Sequence, residues 1–155
     1  MKISFLLHIL ATVVWVGGMF FAHMCLRPVA LVQLEPPQRL SLWRGVLARF
    51  FPWVWIAVVL LALSGQMIAA QMGGMANLPF HTHLMAGIGY AMAAIFVYLW
   101  VFPYRLLGKE VDAQNWPAAG QAMNRIRLLV TTNLILGLIN ITLIVVLPNL
   151  PMANG

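Results

Sequence analysis

Acidic residues are almost missing from this chain. Glu35, Glu110 and Asp112 are its only carboxylates among 155 residues, against nine lysines and arginines. All three lie between apolar runs, which excludes a carboxylate proton relay or an Asp/Glu acid–base pair inside a membrane. Charged residues make up 8% of the chain, where a soluble domain carries about 25%. Apolar residues make up 63% and mean hydropathy is +0.91, so a water-soluble fold is not expected. Cysteine is as scarce: Cys25 stands alone, which excludes an internal disulfide and any CxxC metal or redox motif. There is no Gly-rich phosphate loop, and no hydrolase triad can be assembled. The formal charge of +6 could suggest nucleic acid. The basic residues, however, sit between apolar runs, where membrane topology accounts for them, and no nucleic-acid partner is expected.

What is present is long apolar runs. A helix needs about 20 apolar residues, at about 1.5 Å each, to cross a hydrocarbon core of about 30 Å. Four segments qualify, at approximately 3–26, 53–70, 80–102 and 128–147. The expected fold class is therefore all-α: a polytopic four-transmembrane-helix bundle forming a single domain over 1–155. Arg27-Pro28 is expected to end the first span, Pro52 to open the second and Gly73-Gly74 to close it, Pro103 to follow the third, and Pro148 to end the fourth. A single lysine and an apolar run past twenty residues fit an uncleaved first span better than a signal peptide. Helix-compatible sequence extends the fourth span upstream toward Pro117. Between spans one and two, Leu40, Trp43, Leu47 and Phe50 recur near helical spacing beside Arg39 and Arg44, which predicts an amphipathic loop helix over 38–51 that anchors at the interface. Eight of the nine basic residues fall in the first and third loops, and Lys2 alone lies on the other side. This bias predicts that those loops are cytoplasmic and that the N and C termini are extracytoplasmic.

Polar groups in a bilayer are costly and mark functional positions, and here they gather near the predicted outer edge. His8 lies in the first span, and His81 and His83 at the start of the third. Gln66 and Met67 of the second span and Asn140 of the fourth fall at similar depth. At about 100° per residue, His81 and His83 point roughly 200° apart if the helix is regular. His83 then heads a face with Gly87 and Tyr90, and His81 one with Met85 and Met92. The first face suits a flat macrocycle, a b-type haem with His8 and His83 as axial ligands. The second, with Met72 and Met75 of the outer loop, supplies thioether and imidazole, a mixture suited to copper. His8, His81, His83, Met72, Met75 and Met85 are thus the candidate metal ligands. His23, beside Met24 and Cys25, is a further soft-metal candidate at the inner end. Asn133, Gly137 and Asn140 share one face of the fourth span, expected to look inward and to hydrogen-bond between helices.

The run Leu7-His8-Ile9-Leu10-Ala11 through Trp15-Val16-Gly17-Gly18 and Arg27-Pro28 resembles the copper-resistance D (CopD) family. So does Arg125-Ile126-Arg127-Leu128-Leu129-Val130 through Asn133 and Leu136-Gly137. The resemblance covers nearly the whole chain and implies movement or handling of copper at the bacterial inner membrane, with His8 as the matching histidine. The first span is also similar to that of HemJ-type protoporphyrinogen oxidases, whose corresponding histidine is associated with haem. Both families tend to carry a lysine near the start of the third span, where His81-Thr82-His83 stands here.

Three functions are consistent with these features. One is a copper-handling inner-membrane protein with a His/Met site at its outer side. The second is a haem b redox protein, HemJ-like or quinone-linked. The third is a non-catalytic accessory subunit. Whether the chain is an enzyme stays open at this point. The expected partners are the lipid bilayer and copper ion or haem. A bundle this short is thin-walled for a transporter, which suggests a homodimer, and an outer-side site suggests a periplasmic donor of metal or electrons.

Overall fold

The computed structural model describes residues 2–147, and they are helical apart from short connections. The helices are α1 (Lys2–Gln33), α2 (Pro36–Gln71), α3 (Phe80–Val101), α4 (Pro103–Asp112) and α5 (Trp116–Val146). With α3 and α4 taken as one rod bent at Phe102, four helices among the described residues are long and apolar enough to cross a membrane. The protein is thus a multi-pass membrane protein. The expected stop at Pro148 and the placement of the C-terminus lie outside the described residues.

Two prolines do not stop their helices. The first span runs past Arg27-Pro28 to Gln33, through a π-turn over Ala22–Leu26 in which the Arg27 N–H donates to the Ala22 carbonyl, five residues back. A proline ring normally clashes with the carbonyl four residues before it. The wider turn re-phases the preceding carbonyls and lets the helix continue, as π-bulges do. In α2, the expected loop helix and the second span are one helix that passes through Pro52. Its buried positions Leu40, Trp43, Leu47, Phe51, Val54 and Ala57 keep steps of three and four across the proline, so one continuous stripe faces the core. The segment expected to lie along the interface is instead the lower part of a core helix. A capping box between Glu35 and Gln38 starts it.

The remaining boundaries follow the chain's punctuation. α2 ends before Gly73 and Gly74, whose φ angles of 94° and 91° lie in the left-handed region that side chains disfavour. Pro103 opens α4, and Asn115 caps α5 by accepting from the Ala118 N–H.

α1 packs mainly on α2, and α5 on α3 and α4. The tightest packing is toward the arginine-bearing loops, the basic end, where Leu107, Ala119, Ala122 and Ile126 have no exposed surface. Phe96 is an aromatic hub at mid-bundle, edge-on to Trp15, Phe51 and Trp55 at centroid distances of 6.2, 5.5 and 5.1 Å. At the basic end Arg44 holds Asp112 through both guanidinium branches, and Arg105 stacks 4.8 Å from the Trp100 ring centre.

Candidate functional site

His8 faces α2. Its Nδ1 lies 2.9 Å from the hydroxyl of Ser64, a residue only 2% exposed, and Gly65 leaves room beside the ring edge. The Ser64 hydroxyl donates its one proton to the Leu60 carbonyl at 2.5 Å. It therefore meets His8 as an acceptor, and the network assigns the proton of the neutral imidazole to Nδ1. Nε2 keeps its lone pair, the form in which a histidine binds a metal, and the Nδ1 bond fixes the ring.

The third span begins as a regular helix at Phe80, after Pro79 in extended conformation, so the two histidines there diverge. His83, Gly87 and Tyr90 are exposed, whereas His81 and Met85 are half-buried and Met92 is buried. The His81–Met85–Met92 face turns toward α5, where it meets the asparagine face. The Asn140 amide donates to the Met85 carbonyl at 3.2 Å and the Asn133 amide to the Met92 carbonyl at 3.1 Å. Both asparagine Oδ1 atoms are buried with no hydrogen-bond partner. A buried unpaired carbonyl oxygen costs about 1–3 kcal/mol unless a donor or cation meets it. Gly137 lets the helices approach: a Cβ there would lie 3.2 Å from the Met92 methyl and 2.9 Å from Val16. The seam between α3 and α5 thus holds two unpaired amide oxygens and the Met92 thioether, and His81 and Met85 stand further along the same face of α3.

Of the other candidate residues, Met72 caps the end of α2 and Met75 opens a short 3₁₀ turn, and both are exposed. Among the described residues no three His, Cys, Asp or Glu side chains converge on one metal position. His8 hydrogen-bonds α2, while His83 lies on the exposed face of α3. The inner trio also separates, because Met24 and Cys25 are exposed while His23 lines a cavity at the basic end, with its Nδ1 3.4 Å from the Thr131 hydroxyl. Sequence reasoning passed over Ser64 as a partner of His8; the signal available was a small hydroxyl residue next to Gly65 within an apolar span, a pair that permits close helix contact. The basic-end cavity had no local sequence signal, since its walls come from positions about a hundred residues apart.

Comparison with known families gives one match, to the family described as CopD, Copper resistance protein D, over residues 44–147, more than half the chain. No curated protein and no solved structure matches.

Proposed function

The chain belongs to the copper-resistance D family, and from that premise we propose that it captures copper as cargo on the extracytoplasmic side of the bacterial inner membrane and hands it on. The observation that supports this proposal is the seam between α3 and α5, where Asn140 and Asn133 hydrogen-bond the Met85 and Met92 carbonyls with both amide oxygens left unpaired, and His81 stands one turn before Met85 on the same face. His81 and Met85 are one turn apart and suit one Cu(I) ion; Met92 lies about 10 Å further along the helix, a second station. Met72 and Met75, exposed at the same end, extend the thioether supply to the mouth, and His8 offers Nε2 from the neighbouring helix. The concentration of arginines at the opposite end supports an extracytoplasmic position for this mouth.

One turn beyond Met92, Phe96 and its ring partners close the middle of the bundle. Passage to the basic end requires that cluster to repack. Transfer to a partner on the entry side requires no repacking, so the packing favours capture and hand-over above free conduction. Haem ligation by His8 and His83 has no comparable support, since His83 is exposed while His8 is engaged with Ser64.

The decisive experiment is a competition titration of purified protein with a chromogenic Cu(I) chelator under reducing conditions. Wild type is expected to hold Cu(I) at least about tenfold more tightly than a His81→Ala/Met85→Leu double variant of normal helicity. Equal affinity in the two proteins overturns the proposal.

A further inference from the structure

The basic end contains a cavity of about 430 Å³ that the copper function does not use. Arg27, Arg39 and Arg127 line it together with His23, and all four are half-buried. The N-terminal turns of two long helices also border it, through Pro36 of α2 and Trp116 and Pro117 of α5, and neither helix has an acidic residue in its first turn. Guanidiniums and helix N-termini both create positive potential, and both favour an anion.

The Glu35 carboxylate caps α2 and offsets the potential of that helix end, so the positive field rests on the arginines and the N-terminus of α5. Among the described residues no carboxylate lines the cavity: Glu110 accepts from Asn115 at 2.8 Å, and Asp112 is held by Arg44. The floor is apolar and buried, made of Trp43, Leu47, Phe51 and Ile126, while Leu31 at the rim is exposed. A ligand that fits has a negative head for the arginines and a hydrocarbon part for the floor. Because the cavity sits where the apolar spans give way to the basic loops, that ligand is supplied by the bilayer itself.

We infer that this cavity binds an anionic phospholipid, with its phosphate among Arg27, Arg39 and Arg127 and its acyl chain over the apolar floor. The volume lies in the range of ordinary ligand sites. The His23 ring is tied by Thr131, whose own proton goes to the Arg127 carbonyl at 2.8 Å, so the arrangement around Arg127 is held from two helices.

The test is native mass spectrometry of the full chain from neutral detergent, after incubation with phosphatidylglycerol or with phosphatidylcholine of the same chains. Wild type is expected to retain phosphatidylglycerol selectively. Replacing Arg27, Arg39 and Arg127 with Gln is expected to cut that retention about 10- to 100-fold. Replacing the exposed Arg49, Lys109 and Arg125 with Gln removes the same charge and should leave retention unchanged. Gly120→Leu supplies a variant that keeps every charge. Gly120 lines the cavity and a Cβ there meets nothing within 4 Å, so the leucine should fill ligand space without strain and displace the lipid. Equal retention in the two triple variants, retention by Gly120→Leu, or displacement by glycerol 3-phosphate as effective as that by the lipid would each overturn the proposal. None of these readouts depends on copper.

Discussion

The two ends of the bundle use the same small device in opposite surroundings. At the Lys2 end, His8 pairs through Nδ1 with Ser64, which donates to the Leu60 carbonyl; at the basic end, His23 pairs through Nδ1 with Thr131, which donates to the Arg127 carbonyl. The two histidines are fifteen residues apart on α1, about 22 Å. Beside His8 lie Ser64 and Gly65 of α2, and its chain neighbours Leu7 and Ile9 are apolar. His23 shares its cavity with three arginines. An imidazole does not choose its ligand by itself. Surrounding charge decides, and under the proposals above it favours a cation at the first histidine and an anion beside the second. The ends differ in packing as well. The residues with no exposed surface lie at the basic end, while His81, Met85 and Asn140 at the other are only half-buried. The basic end is thus the more tightly packed of the two at these positions, and the contrast between a packed base and a looser mouth can be tested.

The largest effect that would test this division is Leu107→Ala. Leu107 is fully buried between α4, α2 and α5, and truncation should cost about 2–5 kcal/mol in detergent unfolding. Met85→Leu at the other end conserves volume and should cost less than about 1.5 kcal/mol while weakening Cu(I) binding. If the two substitutions destabilise equally, the contrast between base and mouth fails. Gly137→Ala comes next, because its methyl would meet Val16 at 2.9 Å at the waist between the halves. The expected loss is about 1–3 kcal/mol, recovered in part when Val16→Ala makes room.

Much of this was legible in advance, and the failures have physical causes. The span count follows from composition, and the divergence of His81 and His83 from the helical period. Which of their two faces turns inward is not readable, because lipid and protein interior are equally apolar and hydrophobic pattern loses its inside–outside meaning. The local rule for proline predicted a stop at Pro28 and a helix start at Pro52. At Pro52 the unbroken stripe from Leu40 to Ala57 prevailed, and it was present in the sequence all along. The tautomer of His8 required a three-member chain, His8, Ser64 and Leu60, that only tertiary contact creates.

Ser64→Ala tests the device itself. Without the hydroxyl, His8 loses the acceptor that orients its ring, and Cu(I) affinity should fall about 10- to 100-fold if His8 lies on the copper route. Ser64→Thr keeps the hydroxyl and should restore most of it. Thr131→Val, the same deletion at the basic end, should leave Cu(I) affinity unchanged in the same competition titration. An equal loss from Thr131→Val would mean that the two histidines serve one pathway and that surrounding charge does not separate them.

The smallest expected effect is the most discriminating about the basic end. Asp112→Asn breaks an exposed pair with Arg44, and such pairs contribute about 0–1 kcal/mol, so unfolding should shift little. The substitution raises the formal net charge by one at the end already richest in arginine. Neither Arg44 nor Asp112 lines the cavity. If anionic lipid is held by a general positive field, one more uncompensated charge should increase its retention, and added salt should remove the increase. If the lipid is held by Arg27, Arg39 and Arg127 around a shaped apolar floor, retention in Asp112→Asn should equal that of wild type. A rise in retention would reduce the contrast between the two ends to their charge counts, whereas an unchanged value would place it in local geometry.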